Sequence, residues 1–346
     1  MTDLRTMRAA VFTELGGPEV LHVVDKAIAE PGVGEVRVRI HRSGVNPTDW
    51  KTRSGATATP DLSTPNVPNQ DGAGVVEAVG AGVDTALIGQ RVWVWEAAFG
   101  RPEGTAQELA LIPAGHVVPL PTGASFDLGA TLGVPFVTAH RCLTVAESGP
   151  QHLGPGALDG RTVLVAGGAG AVGNAAIQLA RWSGATVITT VSSPAKARLA
   201  TAAGAQHVID YRQQDVVAEV GRIAPDGVDV VVEVAPAANA AIDAAVIGPG
   251  GAVAIYANDG GDEVTLPIRP SMVRNVRWQF VLLYSVPAAA KAIARDDLTT
   301  ALVARAIAVG EDIGLPLTHF PLERTADAHR AVQDGTVGKV LIDVTD

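Results

Sequence analysis

The segment that most narrows what this chain can fold into is Val163-Leu164-Val165-Ala166-Gly167-Gly168-Ala169-Gly170-Ala171-Val172-Gly173, where an apolar strand empties into G-x-G-x-x-G and a helix opens. Arg161–Val165 reads as a buried strand, and Ala175, Ala176, Leu179 and Ala180 give the following helix an apolar face. In that setting Gly168 permits the tight turn, Gly170 lets the backbone approach a pyrophosphate, and Gly173 lets helix and strand pack closely. Ala171 and Val172 open the helix, whose free N–H groups and positive dipole end attract an anion. A glycine turn that merely packs an α/β layer would use the same residues; the strand before it and the helix after it favour a dinucleotide site.

At 346 residues the chain is long enough for two domains, each with its own core. With 18% charged and 47% hydrophobic residues it has no composition for disorder. A net charge of −10 without a clustered basic face argues against a nucleic-acid partner. Met1–Arg8 lacks an apolar signal core and no apolar run is long enough to span a bilayer, so a soluble, cytoplasmic chain without a membrane partner is expected. Cys142 is the only cysteine, which excludes an intrachain disulfide and a cysteine metal cluster; it lies on the helical stretch Phe136–Leu143 and reads as a buried structural thiol.

The first part is β-rich. Val36, Val38 and Ile40 alternate with Arg37, Arg39 and His41, and further strands at Gly74–Val79, Gln90–Trp95 and Gln107–Ile112 are set apart by Gly and Pro, as in a compact barrel. His41 is expected to face solvent. From about Phe126, helices alternate with apolar strands at Thr162–Ala166, Thr186–Thr190, His207–Ile209, Asp229–Val234 and Gly251–Ile255, the pattern of a doubly wound parallel sheet. The expected fold is therefore α/β: a Rossmann domain over residues 126–289 and a β-rich, barrel-like catalytic domain over 1–125, to which 290–346 returns. Val276–Leu283, with Trp278 and Phe280, is either an edge strand that pairs with a second subunit in a homodimer or an ordinary core strand. His329 is expected on a helix surface.

Several landmarks together resemble the medium-chain dehydrogenase/reductases, and specifically their zinc-free quinone oxidoreductase branch. They are Pro31-Gly32-x-Gly34-Glu35-Val36, Gly44-Val45-Asn46-Pro47-Thr48-Asp49-Trp50-Lys51, Asp71-Gly72-Ala73-Gly74, Pro119-Leu120-Pro121 and the glycine loop. Ala328-His329-Arg330-Ala331 followed by Gly338-Lys339-Val340 is similar to the closing motif, and Lys339 is counted among the expected cofactor-binding residues. The resemblance spans nearly the whole chain. Where the zinc-dependent members carry a Cys after Gly-Val and a Gly-His-Glu before the second glycine motif, this chain has Asn46 and Asn69-Gln70-Asp71, a poor ligand set, so no metal site is expected.

NAD-binding sites of this kind end the second strand on an acid for the ribose 2′-hydroxyl, roughly 20 residues after the glycines. Here that stretch is Val191-Ser192-Ser193-Pro194-Ala195-Lys196, without an acid but with two hydroxyls and a cation, which favours NADPH. The resemblance adds Tyr211 beside the same phosphate. At the nicotinamide end it implies Asn46, Thr138, Val234-Ala235-Pro236 and Asn258, with Phe136-Val137 and Pro236 departing from the family pattern. Asn258 reads equally as a turn residue.

Without a zinc Lewis acid a simple alcohol is a poor substrate, which steers the chemistry toward acceptors that take hydride unaided. The expected activity is NADPH-dependent reduction of a quinone or an α,β-unsaturated carbonyl, with catalysis mainly by orientation. Asn46 is expected to polarise the acceptor oxygen and Trp50 to wall the pocket, although Asn46 can equally cap a helix and Trp50 can equally fill the core. Tyr256, Asp49 and water are the candidate proton donors, water foremost. An enoyl or alkenal reductase of a biosynthetic pathway, or a non-catalytic NADPH-binding sensor, would carry the same motifs.

Overall fold

Val36, Val38 and Ile40 are fully buried while Arg37 and Arg39 reach solvent, so the alternation near the start is that of a half-buried strand. The computed structural model describes residues 5–57 and 60–345; of the N-terminal stretch read for targeting signals, Met1–Leu4 lies outside them. The chain begins with β1 (Thr6–Val11), β2 (His22–Ala27), β3 (Glu35–Val45), α1 (Pro47–Ser54), β4 (Asp71–Val79), β5 (Arg91–Val94), β6 (Leu109–Pro113), β7 (Val117–Pro119) and α2 (Phe126–Thr131). A π-turn at Leu132–Phe136 leads into α3 (Val137–Leu143). There follow β8 (Thr162–Ala166), α4 (Ala171–Trp182), β9 (Thr186–Val191), α5 (Pro194–Ala202), β10 (His207–Asp210), α6 (Val216–Ile223), β11 (Val228–Glu233), α7 (Pro236–Val246) and β12 (Ile247–Ile255). The last elements are α8 (Ile268–Arg274), β13 (Arg277–Phe280), α9 (Ala288–Val303), β14 (Leu317–Pro321), α10 (Thr325–Gln333) and β15 (Lys339–Asp343).

One compact unit comprises the chain up to Val134 together with Leu317 onward. Its main sheet runs β14-β15-β3-β4-β5-β7 with β6 also on β3, while β1 pairs with β2 and bridges Gln107 through Ala9. Among the described residues this sheet does not close, which corrects the barrel-like expectation: β14 and β7 are its two ends. Apolar burial holds it. Each of Val38, Ile40, Val92, Ile112 and Ile342 is fully buried and contributes about 1.5–3 kcal/mol, more than the exposed-face Arg37–Glu77 pair (3.0 Å), whose kind contributes roughly 0.2–1 kcal/mol. His41 is not simply solvent-facing; its ring stacks on Phe126 at 4.4 Å.

The other unit, Pro135–Pro316, holds a fully parallel six-stranded sheet in the order β10-β9-β8-β11-β12-β13. Counted from β8 this is 3-2-1-4-5-6, the dinucleotide-binding order, and it reverses direction between β8 and β11. Gly184 and Gly204 both take positive φ, and the Ala185 and Ala205 N–H groups reach back to Ala180 and Ala200, so each helix is stopped by the same glycine cap before its next strand. The unit boundaries fall later than 125 and 289. α2 packs on β4, where a Cβ at Gly129 would lie 2.7 Å from Ala73, and α9 is tied to α3 by His140 and Asp297 at 2.7 Å. β13 lies at the sheet edge. No helix of the described residues is long and apolar enough to cross a membrane.

Candidate active site

The glycine loop joins β8 to α4. The Gly167 and Gly168 N–H groups both donate to the Thr190 carbonyl at 3.1 and 3.3 Å, which fixes the loop on β9. The left-handed residue of the turn is Gly167 (φ 70°), so the turn role expected of Gly168 belongs one residue earlier. Gly168 is needed for room instead: a Cβ there would lie 2.2 Å from the Thr189 hydroxyl. A Cβ at Gly173 would lie 2.4 Å from the Gly167 carbonyl, the close helix–strand packing expected of it. Gly170 is different. It is exposed, it is the N-cap of α4 without any capping side chain, and a Cβ there would meet only the Gly167 carbonyl at 3.4 Å. The first-turn N–H groups of Ala171, Val172 and Gly173 thus have no capping side chain beside an exposed Gly170, the arrangement in which a helix N-terminus takes a pyrophosphate.

The four residues expected at the ribose phosphate gather at the ends of β9 and β10. The Tyr211 N–H donates to Val191 (3.1 Å), and its side chain is 52% exposed. The Ser193 hydroxyl is committed to α5, accepting the Lys196 N–H at 3.3 Å. Ser192 and the half-buried Lys196 remain as side-chain donors. Val234 follows β11 and lies 3.4 Å from where a Gly167 Cβ would stand, its carbonyl accepting the Asp259 N–H. Thr138 is buried on α3. Asn258 is exposed and its amide donates to Asp262. Tyr256 follows β12; burial first, then Cys142, Glu233 and Asp259, push its phenol well above the ordinary range and make it a weaker acid. Burial pushes the Cys142 thiol up to about 12, in keeping with an inert structural cysteine.

In the sheet unit, Asn46 is the N-cap of α1 in a capping box with Asp49, ahead of Pro47, which opens the helix, and its amide also bonds beyond the helix. Its nitrogen donates to Asp71 Oδ2 at 2.8 Å and its oxygen accepts from Lys339 Nζ at 2.6 Å. Lys339 also stands 3.7 Å from Asp71 Oδ2. Asp71 further accepts the Val134 N–H at 2.9 and 3.0 Å, an approach that Gly133 allows because a Cβ there would lie 2.1 Å from Asp71. Asp49 accepts the Asn46 and Gln70 N–H groups at 2.7 and 3.2 Å. All four side chains are sealed from solvent. Burial pushes Asp49 up to about 7, helped by Asp71; burial raises Asp71 against the pull of Lys339, and lowers Lys339 against the pull of both carboxylates.

Asn46 and Gln70, at the places where related enzymes carry zinc ligands, do not come together; Asn46 instead meets Asp71, with the Lys339 ammonium beside both. Gln70 turns away, its oxygen accepting the Ala98 N–H at 3.1 Å. No group of three His, Cys, Asp or Glu residues suited to a metal ion occurs among the described residues. Trp50 is half-buried, with Lys51 Nζ 5.9 Å from its ring centre, so it does not fill the core. His329 is the clearest correction: it is fully buried, bonded through Nε2 to Asn69 Oδ1 at 2.9 Å, and held down to about 3 by burial and by Arg53. Asn69 Nδ2 donates to Ser43, so its oxygen must accept and His329 carries its proton on Nε2. Asn69 carries no signal in sequence, being an isolated asparagine; Asp71 is visible there only as a motif landmark.

Residues 32–122 match the family model of the alcohol dehydrogenase GroES-like domain, and residues 171–298 that of the zinc-binding dehydrogenases. Quinone oxidoreductase of Rattus norvegicus is 30% identical over 99% of both chains. The structure of Escherichia coli quinone oxidoreductase complexed with NADPH superposes with a TM-score of 0.80 at 26% identity, covering 97% of this chain and 99% of that one. An NAD-dependent alcohol dehydrogenase superposes with a TM-score of 0.82 at 30% identity, covering 98% of this chain and 100% of the other.

Proposed function

The chain belongs to the quinone oxidoreductase-like medium-chain dehydrogenase/reductases, a family of nicotinamide-dependent oxidoreductases, and from that membership we propose that it uses NADPH to reduce a quinone or an α,β-unsaturated carbonyl without zinc. The observation that carries the zinc-free reading is Lys339: its ammonium bonds Asn46 and faces Asp71, so a metal ion there would have to displace a buried cation of the protein. The open N-terminus of α4, with Gly170 at its cap, supports a bound pyrophosphate. Ser192, Lys196 and Tyr211, with no acid at the end of β9, support NADPH over NADH.

Bound nicotinamide supplies the hydride. The chain's part is to hold and orient. Ala171, Val172 and Gly173 offer N–H groups to the pyrophosphate, and Thr138, Val234 and Asn258 serve the nicotinamide half. Asn46, with its amide engaged by Asp71 and Lys339, fixes the charge on the acceptor side and so polarises the acceptor oxygen. Trp50 sets which acceptor fits. Water delivers the proton, because Tyr256 is a weakened acid and both Asp49 oxygens accept backbone N–H groups. The edge position of β13, with Phe280 and Leu282 60% and 61% exposed, supports a homodimer.

The test is oxidation of NADPH and NADH in the presence of quinones, enones, enals and simple ketones, with metal analysis of the same sample. Turnover with NADPH on quinones or enones, indifferent to a chelator, is expected. Activity confined to simple ketones or alcohols, or stoichiometric zinc, overturns the reading; tight NADPH binding without turnover on any acceptor identifies a sensor.

A further inference from the structure

Glu233 is the last residue of β11, and Asp243 lies on the buried side of α7; each is 1% exposed. Glu233 Oε1 accepts the Ala235 N–H and the Asn239 amide, the latter at 3.0 Å. Its second oxygen and Asp243 Oδ2 are both buried without a hydrogen-bond partner among the described residues, and a bond between the two side chains would satisfy both oxygens. Two carboxyl groups form that bond only when one carries a proton. Burial, then Glu233, push Asp243 up to about 9, while burial raises Glu233 against the pull of Ala235 and Asn239. No cation is among the main groups acting on the pair within the described residues. Facing it is the Tyr256 phenol, just after β12, on which Cys142 of α3 and Asp259 also act; Arg274 of α8 donates instead to the Ala244 carbonyl at 2.5 Å.

The pair holds the loop that follows β11. Glu233 anchors the Ala235 N–H, its own carbonyl accepts the Tyr256 N–H at 3.1 Å, and the Val234 carbonyl takes the Asp259 N–H at 3.1 Å. Between these anchors Val234 leans on the glycine turn at Gly167. We propose that Glu233 and Asp243 share one proton and act as positioning residues for the cofactor loop Val234-Ala235, so that losing the proton loosens cofactor binding. Two adjacent buried carboxylates repel, the Glu233 side chain is pushed off Ala235, and Val234 loses its fixed place against the glycine turn. This rests on reading the unit as a nicotinamide nucleotide site.

The experiment measures NADPH dissociation constants by fluorescence titration between about pH 6.5 and about pH 10, for the wild-type chain, Asp243→Asn and Glu233→Ala, beside infrared spectra of the nucleotide-free protein. In the wild type the constant is expected to be flat to about pH 8 and to rise about tenfold by about pH 10, as the proton leaves. The amide introduced by Asp243→Asn donates permanently, so that variant should bind within about threefold of wild type near neutrality and show a flat profile. Glu233→Ala should bind more weakly at every pH, and the free wild-type protein should show a protonated-carboxyl band at about pH 8, where Asp49 is mostly ionised, that Asp243→Asn lacks. Coincident profiles for wild type and Asp243→Asn, with NADPH binding intact, overturn the positioning role and leave the nucleotide site standing. Absence of the carboxyl band overturns the shared proton without any variant, and failure of the wild type to bind either NADPH or NADH overturns both the site and the role.

Discussion

The Lys339 ammonium lies 2.6 Å from the Asn46 side-chain oxygen, 293 residues away in sequence, with both side chains sealed from solvent. The contact pins the closing strand β15 to the head of α1. It also fixes the Asn46 amide: oxygen toward the lysine, nitrogen toward Asp71.

Lys339→Met should leave Asp49 and Asp71 without their buried cation and cost about 3–5 kcal/mol. Both carboxyls would rise further above their unfolded values, so the native state would hold extra protons and stability would fall as pH rises from the carboxylate range. Urea unfolding at acid and at mildly alkaline pH checks this: a loss of the same size at both would mean that the charges are not coupled.

His329 carries an acid-lability signal of opposite sign. Its folded pKa of about 3 lies below the ordinary histidine value of 6.5, so between these values the unfolded chain binds the extra proton and stability is lost as pH falls. The full effect is at most about 5 kcal/mol, and His329→Gln, which keeps a donor for Asn69, should flatten the slope over that window. Parallel stability curves for wild type and variant between pH 6.5 and 3 would assign the acid sensitivity to other groups.

Two glycines of one loop should part company. The Cβ of Gly170→Val would meet only the Gly167 carbonyl at 3.4 Å, so the variant should melt cooperatively near the wild-type temperature yet bind NADPH at least about tenfold more weakly. Gly173→Ala, whose Cβ would stand 2.4 Å from the same carbonyl, should lose stability first. Calorimetry beside cofactor titration separates them; equal cofactor affinity in Gly170→Val would make the loop a packing turn.

Lys196→Ala and Ser192→Ala should each reduce the preference for NADPH over NADH, the lysine by about 1.5–3 kcal/mol, or roughly 10–150-fold. Ser193→Ala should instead cost about 1 kcal/mol of stability through the lost cap of α5, with less effect on preference. Kinetic constants with both nucleotides decide it, and an unaltered ratio in Lys196→Ala removes that residue from the phosphate site.

What the sequence determined by itself was local and periodic. Apolar alternation named β3, apolar runs set off by Gly and Pro named β4 to β6 and β8 to β12, and G-x-G-x-x-G marked the loop between β8 and α4, because period and glycine spacing are properties of neighbouring residues; β1, β2, β7 and β14 carried no such pattern and were missed. Tertiary structure decided what distant residues do to one another. The left-handed turn moved to Gly167 because β9 holds the loop through Thr190. The β-rich part stayed an open sheet because β14 and β7 remain its two ends. His329, read as a surface residue from a polar helix, is buried because Asn69 and Arg53 come to it from elsewhere in the fold. Lys339 became the buried counter-ion of Asp71, and Glu233 met Asp243, because burial strengthens charge interactions only once folding has brought the groups together and excluded water, and no spacing along the chain records that encounter.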